Sequence, residues 1–379
     1  MEGRSGKGRY MGHNTEICAV ENGQNLNTVL YEIEDPRSLT EGDLKKIEEA
    51  GAVIKRGGLV AFPTETVYGL GGDALNPKSS EKIYAAKGRP SDNPLIVHIA
   101  DIADLEKLTD EVPGEAYILA ERFWPGPLTM IVKNNGTVPL ETTGGLDTVA
   151  VRMPSDKVAA ALIAAAGGFI AAPSANTSGR PSPTKASHVM EDLGGRIDAV
   201  IDGGDVDIGL ESTIVDLTEE KPVILRPGFI TMDMIKAVLP DVANDPNMAD
   251  SKKPPKAPGM KYRHYAPKGK LTVVKGERGA VAGKICALAG ELAGSDHKIG
   301  LMVTDGTSGL YDDTLFSCIK TVGDGENDET IAHNLFAVLR EFDEEGTDII
   351  FSECFDGGKL SDAIMNRLLK AAGHVVVEV

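Results

Sequence analysis

Cysteine is scarce in this chain: of 379 residues only Cys18, Cys286, Cys318 and Cys354 carry a thiol, and no two form a C-x-x-C pair. That spacing excludes a zinc knuckle or a disulfide framework and fits a reducing, cytoplasmic setting. Long apolar runs are missing too. No stretch approaches the roughly 18 residues that span a bilayer, and the basic leader MEGRSGKGRYMGHNTE is not followed by the apolar segment of an export signal. Residues 1–26 are expected to be a flexible tail. Positive charge is in short supply: 39 Lys and Arg face 57 Asp and Glu, a net charge of −18. Such a surface repels a phosphate backbone, so strong direct nucleic-acid binding is not expected and any local cationic cluster stands out. A G-x-G-x-x-G fingerprint, a P-loop, an H-E-x-x-H helix, a Ser/His/Asp elbow and metal-spaced His/Asp clusters are all lacking, so no protein metal site is expected.

What is present is a globular α/β chain. Its 41% hydrophobic and 25% charged residues are ordinary for a soluble protein, and its length suits two or three domains. Leu44, Ile47, Ala50 and Ile54 share one face of a helix predicted over Thr40–Lys55, with Thr40 and Asp43 as its start signal and Gly57-Gly58 as its stop. Short β-branched runs follow from Leu59, Leu95, Leu128, Thr148, Phe169, Ala199, Thr213 and Pro222. Helical stretches fall at Ser79–Lys87, Pro113–Phe123, Asp156–Ala166 and Thr184–Leu193. Several strands are too close together for helical crossovers, which implies a partly antiparallel sheet. Residues 27–240 therefore read as one mixed α/β domain.

Periodicity then lapses over 241–270. Within it, Ser251–Lys270 holds seven Lys or Arg and no acid, with Tyr262, His264 and Tyr265 interleaved, whereas 271–379 carries nine basic against nineteen acidic residues. A wholly basic tether points to an anion-facing lid; a solvated proline-rich spacer is the alternative. Residues 271–379 alternate strands with helices at Ala280–Ala293, Asn327–Glu345 and Leu360–Ala372, a smaller Rossmann-like α/β domain.

The motifs that carry chemistry sit in the first domain. FPTETVYGLGGDA, from Phe62, runs a strand into a hydroxyl-rich turn, where Thr64, Thr66 and backbone N–H groups could surround a polar ligand or merely satisfy a β-turn. KGRPSDNPLIVHI supplies Lys87 as a point charge, Arg89 as a fork and Asn93 as an amide, a set suited to a triphosphate or carboxylate. His98 lies in an apolar strand, where a satisfied core histidine is the plainer reading. Arg152 in TVAVRMP and Arg226 in ILRPG are arginines in apolar strands that must meet an anion, either a ligand or a structural carboxylate. APSANTSGRPSPT ends a strand in hydroxyls and Asn176, and GLESTIVDL brings Ser212 to a strand edge.

Together and in this order, PTETVYGLG, KGRPSDNPL, VRMP, PSAN, ESTIVD and RPG resemble the YrdC-like family of threonylcarbamoyl-AMP synthases over roughly Asn27–Pro240. APGMKYRHYAP and the domain beyond it resemble that family's long, two-domain form. The resemblance implies a twisted mixed-sheet catalytic domain and a reaction of L-threonine, bicarbonate and ATP that yields L-threonylcarbamoyl-AMP and pyrophosphate. Mg2+ would accompany the ATP. A downstream tRNA threonylcarbamoyl transferase complex would use the product beside the anticodon. Carried over by motif, Thr66, His98, Arg152, Ala172 and Ser212 would hold threonine. Arg89, Asn93, Thr148, Ser174, Asn176, Ser182, Arg226 and Tyr265 would hold ATP, and Lys87 with Arg89 would stabilise the reacting charge. The competing class is an RNA-binding or ribosome-associated module of the same fold without catalysis. A carbamoyl-adenylate enzyme using carbamoyl phosphate is a third reading, but it would bring zinc-finger cysteines that are not seen here.

Overall fold

The structure, a computed structural model, describes residues 26–245 and 264–379; all but the last residue of the expected tail and most of the basic tether fall outside them. The first helix, Glu41–Lys55, starts where the sequence says. Thr40 accepts a hydrogen bond from the Asp43 N–H and Asp43 accepts one from the Thr40 N–H, a reciprocal cap. Its buried stripe is rotated from the expected one: Ile47, Ala50, Gly51, Val53 and Ile54 are buried, while Leu44 is 42% exposed. The reason is the contact with helix Lys157–Ala166, where a side-chain carbon on Gly51 would come within 2.7 Å of Ala165.

The first sheet has eleven strands among the described residues. Its order is Val29–Glu32, Ala199–Asp202, Val60–Phe62, Gly69–Asp73, Ile170–Ala172, Ile96–His98, Thr148–Arg152, Leu128–Lys133, Thr213–Asp216, Val223–Arg226 and Ala243–Asn244. The sheet is mixed, with five parallel and five antiparallel pairs, as the short connections led one to expect. All eight expected strands are there. Gly69–Asp73, beyond the hydroxyl-rich turn and not among the expected strands, is a central strand: a side chain on Gly71 would meet Ile170 at 2.8 Å and the Phe62 ring at 2.9 Å. Ala243–Asn244 pairs with Val223–Ile224 and so extends this sheet into the stretch assigned to the tether.

Strand periodicity decides which side chains meet the site. Val97, Val151, Met130, Ala171 and Val215 are buried on one face in the main core with Ile83 and Leu119. Register places His98 opposite both Arg152 and Ile170, and Ile96 opposite Ala150 and Ala172, so these six share the other face.

The second domain is a five-stranded, wholly parallel sheet in the order Cys318–Thr321, Ile299–Val303, Ile349–Glu353, Lys270–Lys275, Val376–Glu378, with helices Arg278–Glu291, Asp328–Glu344 and Ser361–Ala371 as crossovers. Two of its arginines are fully buried against the first domain. Arg340 meets Asp192 at 2.9 Å and the Pro181 carbonyl at 2.7 Å; Arg367 meets the Glu211 carboxylate at 3.0 Å.

Candidate active site

Helix Pro77–Lys87 ends at Gly88, whose left-handed φ of 61° turns the chain so that Lys87 and Arg89 both face inward. Lys87 is 1% exposed; its Nζ donates to the carbonyls of Ser174 and Asn176. Arg89 is held by the carbonyls of Asn93 at 3.2 Å and Pro94 at 3.1 Å. The Ser174 hydroxyl donates to Asn176 Oδ1 at 2.5 Å, and the Asn176 amide donates to the Thr177 and Arg180 carbonyls, which shapes the loop around the lysine. Arg226 donates to the Ser212 carbonyl and hydroxyl, and that hydroxyl pairs with Thr129 at 2.7 Å. Burial first, and neighbouring cations after it, pull the pKa of Lys87 down and bring Arg89 and Arg226 down to about 10; Arg89 acts on Lys87, Arg226 on Arg89, and Arg367 on Arg226.

On the sheet side, Arg152 Nη1 donates to Thr66 Oγ1 at 2.9 Å, and its Nη2 lies 2.8 Å from Glu65. His98 beside it is pushed down to about 3, first by burial and then by Arg152, so the imidazole is neutral at physiological pH. Its Nδ1 faces the Ile96 carbonyl at 3.1 Å, and its ring meets Phe62 edge-on. His264 and Tyr265 close the far side. Tyr265 has a φ of +64°, uncommon for a bulky residue, and its ring packs 5.1 Å from Phe336 of the second domain. The Ala266 N–H ties this strap to the Gly179 carbonyl.

These groups line one cavity, with about 700 Å³ of empty space when its open mouth is counted. Residues 52–228 match the family model described as "Telomere recombination", and 230–373 the one described as "Threonylcarbamoyl-AMP synthase, C-terminal domain". A threonylcarbamoyl-AMP synthase of Pyrococcus abyssi is 49% identical over 336 residues, 88% of this chain and 96% of that one. The chain belongs to the threonylcarbamoyl-AMP synthase family. A Bacillus subtilis synthase is 47% identical over 88% of this chain and 94% of its own. The crystal structure of P. abyssi Sua5 complexed with L-threonine overlays with a TM-score of 0.86 at 45% identity, covering 93% of this chain and all of that one.

In this synthase-family fold the cavity wall includes Thr66, Lys87, Arg89, His98, Arg152, Ala172, Ser174, Asn176, Ser182, Ser212, Arg226 and Tyr265, gathered from seven separate motifs. Two residues expected at the ATP site do not line it. Thr148 stands opposite Lys133, at the other end of the strand from Arg152, and Asn93 is buried beneath Arg89, which its carbonyl orients. Glu65 and Glu211 went unread in the sequence as partners of cations: nothing local marks a carboxylate whose arginine is 87 or 156 positions away. Among the described residues no group of three His, Cys, Asp or Glu could hold a metal ion, and no helix is long and apolar enough to cross a membrane.

Proposed function

We propose that this cavity joins L-threonine, bicarbonate and ATP into L-threonylcarbamoyl-AMP with release of pyrophosphate, a nucleotidyl transfer. The observation that carries the reading is the convergence of Lys87, Arg89, Arg152 and Arg226 on one cavity beside a neutral His98. Arg152, Thr66 and Ser212 would hold threonine by its carboxylate and hydroxyl. The amine attacks the bicarbonate carbon, water leaves, and a carbamate oxygen then attacks the α-phosphorus as the bond to the β-phosphate oxygen breaks. Arg89 and Arg226 would lie along the phosphates, and Lys87 would face the charge that builds between carbamate and α-phosphate, so rate comes from positioning and charge rather than a covalent intermediate. Glu65 and Glu211 are paired with arginines, so Mg2+ would enter on the phosphates of ATP as part of the substrate. The product would pass to a tRNA-modifying transferase.

Burial also weighs against the RNA-binding module. Lys87, Arg152 and Arg226 are each under 5% exposed, out of reach of a duplex backbone. The test is pyrophosphate release from ATP with threonine and bicarbonate added singly and together, with serine as control. Release that needs both and favours threonine supports the reading; release indifferent to either ends it.

A further inference from the structure

Glu211 is a buried carboxylate on the wall of the cavity, and two arginines from different domains act on it. Arg367, on helix Ser361–Ala371 of the second domain, donates from Nε to Glu211 Oε2 at 3.0 Å and from Nη2 to the Glu211 carbonyl at 3.1 Å. Its Nη1 donates to the carbonyl of Pro227. The same guanidinium therefore bridges the two segments that present Ser212 and Arg226. Arg226 in turn donates to the Ser212 carbonyl, one residue from Glu211. The other oxygen of Glu211 accepts from the Ser182 hydroxyl at 2.5 Å.

We propose that Arg367 is a positioning residue for the nucleotide site: by neutralising Glu211 and locking it to Pro227, it keeps that carboxylate from drawing on Arg226. The second domain is on this view a working part of the pocket. The proposal rests on the reading above in that Arg226 is taken to meet the phosphates. Arg367 is the first and Arg226 the second of the cations holding the Glu211 carboxyl down, so with Arg367 gone Arg226 is the strongest cationic influence left on it. A buried carboxylate without its partner seeks another cation, because an uncompensated charge inside a protein is costly. A guanidinium so engaged, and turned from the cavity, would hold ATP less well.

The experiment uses the full chain and measures ATP binding by calorimetry, pyrophosphate release kinetics and the thermal midpoint. Arg367→Met is expected to raise the ATP Kd and KM about tenfold with kcat changed less than about threefold. Adding Glu211→Gln to it removes the competing carboxylate and is expected to bring the ATP Kd back to within about threefold of wild type, a non-additivity that a merely structural arginine would not give. Arg367→Lys keeps the charge without the fork and should show a smaller rise; it decides the matter if Arg367→Met does not fold. His333→Ala loses a contact to the Asp207 carbonyl across the same domain interface and should leave ATP binding unchanged. Wild-type ATP affinity in Arg367→Met or Arg367→Lys, no recovery in the double variant, or an equal loss in His333→Ala would each overturn the proposal. Should wild type bind ATP but release no pyrophosphate, the reaction fails while the binding measurements still judge Arg367.

Discussion

Two sets of buried cations divide this molecule. Lys87 and Arg89, in the first domain, rest on backbone carbonyls, neutral oxygens that hold the side chains in place and leave the positive charge uncancelled. Arg340 and Arg367, in the second, are as buried as Lys87 and more so than the partly buried Arg89, but meet carboxylates, Asp192 and Glu211. Burial alone thus does not separate a binding cation from a structural one; the charge of the partner does. A cation held only by dipoles in a low-dielectric cavity is poised for an anion, and its lowered pKa is the sign of that debt to solvation. Arg152 belongs to both sets, since Glu65 balances it while Thr66 orients it.

That contrast can be broken by substitution. Lys87→Met should cut pyrophosphate release by about 10³-fold or more, the scale of losing a charge-stabilising group, while unfolding free energy in urea stays level or rises. Arg340→Met should do the reverse on stability, losing about 1.5–3 kcal/mol, because buried Asp192 gives up one of its two arginines and keeps Arg180. If both variants lose the same stability, the division by partner charge is wrong. Two strand arginines of the first domain sharpen it further: Arg226→Ala should raise KM for ATP about 100-fold and KM for threonine little, and Arg152→Ala the opposite. Equal losses for both substrates at both positions would merge the two ends of the pocket.

Acidity gives a smaller, graded test. His98 and His264 are held at about 3 and His188 at about 4, each first by burial and then by a neighbouring cation. The unfolded chain takes up these protons near pH 6.5 and the folded chain does not, so stability is full above that pH and falls as pH drops toward 4. The slope is up to about 1.4 kcal/mol per pH unit for each histidine. Urea titrations at pH 7 and 5 should show it, and His98→Gln should remove one histidine's share. Smallest is the first helix cap: Thr40→Ala should cost about 1 kcal/mol and leave kinetics untouched.

Much of this was legible in the chain itself. The Thr40 and Asp43 cap, the eight β-branched runs and the long helices all depend on neighbours a few positions apart, and hydrophobic periodicity records such neighbours directly. The cations and hydroxyls of the pocket were legible as motifs because they lie at strand or helix ends, or in the loops that follow them, whose limits could be read. Tertiary structure alone decided the rest. It made a strand of Gly69–Asp73, where the Phe62 ring and Ile170 leave no room for a side chain on Gly71. It chose Glu65 for Arg152, Glu211 for Arg367 and Asp192 for Arg340, and it placed Thr148 away from the cavity that its neighbour Arg152 lines. Pairs separated by dozens of residues leave no local period, and their energy exists only once burial has removed the water that would otherwise serve each charge as a partner.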